Sequence, residues 1–233
     1  MYLFFAPGLK DNQYQLPRDE SRHCIKVLRL KLGDDIYLTD GKGNLFGARI
    51  IREDPDHCQV QITESQYGVG IRNFRLHIGI APPKNIKRFE WFLEKATEIG
   101  IDEITPLNCF HSERKLLKPE RGMKIIISAM KQSLKTYHPL LHEMIHFQEF
   151  FHSKHQGLKY IACGNAKPQD HIKARYIAGQ DVTLLIGPEG DFSPEELNLA
   201  STNDFHPVHL GNRRLRTETA AMVACSIINL IND

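Results

Sequence analysis

Three short apolar runs late in the chain, Tyr160–Cys163, Val182–Ile186 and Val208–Leu210, each give way to a loop of small or polar residues. The loops are Cys163-Gly164-Asn165, Gly187-Pro188-Glu189-Gly190-Asp191 and Gly211-Asn212-Arg213-Arg214-Leu215-Arg216. Short runs of this kind read as strands buried on both faces of a parallel sheet. In open α/β sheets, ligands gather beyond the carboxyl ends of the strands. Glycine there lets backbone approach a ligand or adopt positive φ. One such loop is an ordinary βα turn. Three of them between residues 163 and 216 point to a binding site.

The rest of the chain divides by pattern. Residues 1–68 read as mainly β. Met1–Phe5, Ile36–Asp40, Leu45–Ile51 and Gln59–Thr63 are strand candidates, with Gly41-Lys42-Gly43-Asn44 as a hairpin loop. A single helical pattern lies near Asp19 to Leu30, so a small barrel is expected. The polar stretch Gln66–Asn73, with Gly68 and Gly70, marks a boundary. Residues 71–233 then alternate strand and helix, as a parallel sheet covered on both faces requires. Its strands include Phe74–Ile80 and Ile101–Leu107, and its helices Asn85–Ile99, Pro119–Leu134, Pro194–Ala200 and Thr217–Leu230. Ser193 with Glu196 three residues on is a capping box.

Composition narrows the function classes. Of 233 residues, 41% are hydrophobic and 25% charged, which suits a folded globular chain. The apolar run Met1–Ala6 ends at Pro7-Gly8, too short for a signal-peptide core, and Ala220–Ile231 is too short to span a bilayer. Five scattered cysteines without CxxC spacing signal neither zinc knuckle nor disulfide framework, so a cytoplasmic location is expected. The net charge of +2 excludes a globally basic coat but is unevenly spread. Residues 72–135 carry 13 Lys and Arg against 7 Asp and Glu, while residues 1–71 carry 9 against 10 and residues 136–233 carry 8 against 11.

No GxGxxG or P-loop is present, so an ordinary dinucleotide or nucleoside-triphosphate enzyme is not expected. Backbone groups of the glycine loops can still clasp an adenosine. Arg213, Arg214 and Arg216 precede a helix start, where cations are unfavourable, so they read as reaching for an anion such as RNA phosphate. Thr217 and Glu218 at that start have a plain structural use as a cap and a first-turn acid. His142-Glu143-Met144-Ile145-His146 matches HExxH, but Pro139 precedes it and no downstream ligand is specified. Its apolar alternation suits a strand or loop equally, so no metal is expected.

Taken together, these motifs resemble the RsmE-type methyltransferases of the SPOUT class, which methylate N3 of a uridine in 16S ribosomal RNA. The resemblance runs over essentially the whole chain. His23–Arg29 with Gly33-Asp34 is similar to the family's RNA-binding domain, and Phe92–Gly100 and Ser112-Glu113-Arg114 to its central motifs. Most specific are Ile186-Gly187-Pro188-Glu189-Gly190 and Leu210–Ala220. Arg214 stands where the family usually has an aliphatic residue, and Lys115 where it usually has Ser. Lys135 stands where Arg is often found, and Tyr2-Leu3 lacks a common arginine.

The resemblance implies a PUA-like β-barrel over residues 1–70 and a SPOUT α/β domain with a C-terminal trefoil knot over residues 71–233. It implies a homodimer acting on 16S rRNA of the small ribosomal subunit, with S-adenosylmethionine in the knot. Gly164, Ile186, Gly187, Gly190, Leu210, Gly211, Leu215, Thr217 and Ala220 would hold the cofactor. Glu189 and Glu218 are candidate bases for the uridine N3 proton, and Arg216 a candidate to stabilise the resulting charge. Arg22, Lys26 and Arg29 in the first domain, and Arg114, Lys115, Arg213 and Arg214 in the second, are candidate RNA contacts. Two other readings stand beside this one: a non-catalytic RNA-binding or ribosome-assembly module on the same fold, and a SPOUT enzyme with another RNA target.

Overall fold

A computed structural model describes residues 1–233. The chain forms two compact units: residues 1–71 with 127–138, and residues 72–126 with 139–233. Residues 127–138 thus belong to the first unit although they follow the start of the second in sequence.

The first unit is built on a mixed sheet of β1 (Leu3–Phe5), β2 (Gln13–Gln15), β3 (Asp35–Thr39), β4 (Leu45–Arg52) and β5 (Gln59–Gln66). The order is β1-β3-β4-β5-β2; β1 runs parallel to β3 and the other pairs are antiparallel. The β3–β4 hairpin turns where expected, with Gly41 and Gly43 at positive φ. Phe4, Leu16, Ile36, Leu38, Ile50 and Val60 make the core, and Cys24 joins it from the helical segment. That segment is shorter than its apolar pattern suggests. Helix α1 (Arg18–Arg22) widens into a π-turn over His23–Val27, in which Leu28 N–H donates to the His23 carbonyl at 2.9 Å. Arg29 then takes φ 57°, a left-handed conformation that stops it before Leu30.

The second unit holds a parallel sheet: β6 (Leu76–Ile80), β7 (Glu103–Asn108), β8 (Leu140–Leu141), β9 (Ile145–His146), β10 (Leu158–Ala162), β11 (Val182–Ile186) and β12 (His206–Val208). Its order is β12-β10-β11-β6-β7-β8, and β9 adds to the far end of β7. The helices are α2 (Ile86–Ile99), the first part of α3 (Pro119–Gln132), whose residues from 127 onward belong to the first unit, α4 (Ile172–Arg175), α5 (Pro194–Thr202) and α6 (Thr217–Asn232). Asn85 caps α2 through its side chain, and the Ser193–Glu196 box caps α5 in both directions.

Alternate residues of each central strand feed different cores, as the two-residue period requires. Leu184 and Ile186 pack with Phe92, Leu93, Ala221 and Ile228 of α2 and α6. Leu185 packs on the other side with Phe147, Phe150, Phe192 and Phe205. Burial on both faces explains why β11 is apolar at every position but Thr183. The strand expected at Val208–Leu210 lies two residues earlier, at His206–Val208, leaving His209 and Leu210 in the following loop. No helix is long and apolar enough to cross a membrane.

Candidate active site

The carboxyl ends of β10, β11 and β12 lie side by side, because β10 is the neighbour of both other strands. Their loops surround a cavity of about 610 Å³. That size is in the range of small-molecule and cofactor sites. All nine residues expected to hold a cofactor line it. Gly164 follows β10; Ile186, Gly187 and Gly190 belong to the end of β11 and its loop. Leu210, Gly211 and Leu215 come from the loop after β12, and Thr217 and Ala220 from the first turns of α6.

Cross-links between the loops hold this shape. The Thr217 hydroxyl donates to the Gly187 carbonyl at 3.0 Å, joining the start of α6 to the loop after β11. It does not cap its own helix, whose N-cap residue is Arg216 with no side-chain cap bond. The Gly164 amide donates to Asp191 Oδ2 at 3.2 Å, and Asp191 itself sits at φ 63°. His111 Nδ1 meets the Asp191 carbonyl at 3.0 Å. A Cβ on Gly190 would meet the His111 side chain at 3.0 Å, so glycine permits this close approach.

The charged candidates separate. Glu189, Arg213 and Arg214 are exposed and line the cavity. Arg216 is exposed at the start of α6 but is not among the lining residues. Glu218 also lies outside the lining; it is buried, with its Oε1 at 3.7 Å from Arg88 Nε of α2. Arg114 spends its guanidinium on the carbonyls of Pro83 (3.3 Å) and Lys84 (2.6 Å), while Lys115 beside it is exposed. In the first unit, Lys26 and Arg29 are exposed, whereas Arg22 pairs with Asp56 at 2.9 Å.

Several lining residues had no role in the sequence reading. Asp191 and His209 are the main polar ones. His209 is tied by backbone bonds to residues 170 and 172, and its Nε2 lies 3.0 Å from the Pro168 carbonyl. A negative residue directly after GPEG was visible as a loop signal, but its reach back to Gly164 depends on tertiary structure. Cys163 also lines the cavity; burial pushes its thiol up, which keeps it protonated at neutral pH. Neither a thiolate nucleophile nor a serine triad is assembled here.

A family model for an RNA methyltransferase domain matches residues 71–229, and one for an RNA methyltransferase PUA domain matches residues 16–63. The chain belongs to the RNA methyltransferase family. A solved structure of a probable rRNA methyltransferase from Porphyromonas gingivalis is 41% identical and superposes with a TM-score of 0.92, covering 100% of this chain and 98% of that one. A putative methyltransferase from Legionella pneumophila, solved with bound cofactor SAM, is 29% identical with a TM-score of 0.88 and the same coverage. A ribosomal RNA small subunit methyltransferase E from Rickettsia conorii is 29% identical over 96% of this chain and 92% of its own length. The expected fold class, a PUA-like domain followed by a SPOUT-class α/β domain, is the one observed. In this RNA methyltransferase the cavity lies at the loops that carry the most specific motifs.

Proposed function

We propose that this protein transfers a methyl group from S-adenosylmethionine to N3 of a specific uridine in 16S rRNA of the small ribosomal subunit. The convergence of nine motif residues on one cavity carries this reading, together with small-subunit methyltransferases similar to the chain over nearly its whole length. The cavity suits an adenosine cofactor. It presents backbone groups at Ile186–Gly187, apolar surface from Leu210 and Leu215, and a glycine where a side chain would press on His111. S-adenosylmethionine supplies an electrophilic methyl group on a sulfonium centre.

The chain's own task is positioning and proton control. Uridine N3 carries a proton at neutral pH and must lose it to act as nucleophile. We assign that proton to Glu189, an exposed carboxylate on the cavity wall; the other one there, Asp191, already accepts from the Gly164 and Phe192 amides. Glu218 is a positioning residue: buried beside Arg88, it fixes the start of α6 and so the aim of Thr217. Arg213 and Arg214 at the rim, with Arg216 beside them, offset charge on the base and the RNA phosphates. Methyl transfer of this kind needs no metal.

We further assign a homodimer, a cytoplasmic location and a trefoil knot at the C-terminus. The knot and the dimer are what the resemblance to the SPOUT class implies, carried by Ile186–Gly190 and Leu210–Ala220.

Calorimetry and single-turnover methylation of small-subunit RNA test the reading. One S-adenosylmethionine site per chain and methyl transfer are expected. Glu189→Gln should keep cofactor affinity and lose roughly 10²–10⁴ in single-turnover rate, the usual worth of a general base. A normal rate in that variant would remove Glu189 from the role. Failure of the parent protein to bind S-adenosylmethionine would favour a non-catalytic assembly module.

A further inference from the structure

His142 opens the HExxH pattern, but its partners come from elsewhere. No helix forms over residues 142–146: His142 follows β8, His146 ends β9, and His146 Nδ1 lies 3.3 Å from Asn108 Nδ2. The fold brings to His142 instead His77 of β6 and Glu103 of β7. One ligand-capable atom from each of the three lies within 4.8 Å of the other two. We infer that His77, Glu103 and His142 form a binding site for one divalent transition-metal ion, zinc by its ligand chemistry.

The backbone makes the grouping. His77 and Glu103 are direct partners in the parallel β6–β7 ladder. Glu103 is likewise paired with Leu140 of β8, and the His142 amide continues that pairing by donating to the Ile104 carbonyl at 2.9 Å. Each of three neighbouring chain segments therefore offers one donor at the same edge of the sheet. Ligands on paired strands are placed more rigidly than ligands on loops.

Two imidazoles and a carboxylate are a donor set of borderline softness, which suits zinc above calcium or magnesium. Ligand bonds of about 2.0–2.2 Å require the donor atoms to stand roughly 3.3 Å apart. His142 Nε2 and Glu103 Oε2 are already 3.0 Å apart, sharing a hydrogen bond whose proton a metal ion would replace. Outer partners that orient metal ligands are also present. Arg75 Nη2 holds the other carboxylate oxygen of Glu103 at 2.7 Å, and the Thr105 hydroxyl lies 2.8 Å from His77 Nε2.

The site opens into a cavity of about 600 Å³, which admits an ion and leaves a coordination position for water. Glu143 and Asp181 on its wall balance Arg75 and Lys154. The cavity lies where β6, β7 and β11 begin, and the cofactor cavity lies where β10, β11 and β12 end. The ion therefore takes no part in methyl transfer; it ties β6, β7 and the segment after β8 together.

The test uses untagged full-length protein stripped with a chelator, then titrated with zinc chloride by calorimetry and with cobalt chloride by visible absorption. One zinc per chain is expected, with cobalt d–d bands from a nitrogen and oxygen site. Glu103→Gln and His142→Ala should each weaken zinc at least about tenfold and abolish the cobalt bands, while His146→Ala behaves as the parent. Unchanged S-adenosylmethionine binding, read at the opposite edge of the sheet, shows that each variant is folded. No stoichiometric zinc uptake by the parent overturns the assignment. So does uptake that both substitutions leave intact, or that His146→Ala removes.

Discussion

At the scale of single residues, Thr217 shows what a motif conceals. Threonine beside a helix start reads as a cap, yet its hydroxyl bonds the Gly187 carbonyl across the cavity. Removing the donor costs the Gly187 carbonyl this partner at the cavity wall. Thr217→Val should cost about 0.5–1.5 kcal/mol of stability, read as a lower melting temperature, and should weaken S-adenosylmethionine binding; Thr217→Ser should restore both. The glycine loops were legible because backbone approach needs glycine whatever the surroundings. The separation of Glu189 from Glu218 was not. Both are acids beside a glycine loop or a helix start, and only the packing of α6 on α2 places one on the cavity wall and the other against Arg88.

Among the elements, α2 shows how a sequence stop becomes a tertiary joint. Gly100 ends the helix at φ 138°, as its position after Ile99 suggests. Its carbonyl also accepts from Asn229 Nδ2 of α6 at 2.8 Å, and a Cβ there would meet Arg72 and Asn229 at 2.9 Å. Gly100→Ala should therefore destabilise the protein by about 1–3 kcal/mol, through backbone strain. A denaturation midpoint equal to the parent's would contradict this. Long elements were readable from period and caps: α2, α3, α5 and α6 start within one residue of expectation. The elements missed were β2, β8, β9 and α4, each of two to four residues. Segments so short carry no period of their own, and β8 and β9 exist only because β7 offers an unpaired edge. The helix expected to reach Leu30 fails for a related reason: Cys24 must enter the barrel core, and the π-turn and left-handed Arg29 follow from that demand.

For the whole molecule, near-neutral net charge coexists with local cation clusters. Lys26 and Arg29 of the first unit are exposed and outside any ion pair within the chain, as is Lys115 of the second. Arg22 is paired with Asp56, and Arg114 is committed to carbonyls, so these two offer less charge to a ligand. Affinity for small-subunit RNA should fall steeply with salt. Each of Lys26→Ala, Arg29→Ala and Lys115→Ala should reduce the slope of log K against log salt by roughly 0.7–0.9. Slopes unchanged in all three would remove these residues from the RNA surface.

The atom that accepts the methyl group distinguishes this enzyme from other RNA methyltransferases. Small-subunit RNA from cells lacking this protein should be incubated with the purified protein and S-adenosylmethionine, digested, and mapped by mass spectrometry. One added methyl group is expected, on N3 of a single uridine in 16S rRNA. Methyl on a ribose, on another base or on another RNA, or no transfer by protein that binds the cofactor, would contradict it.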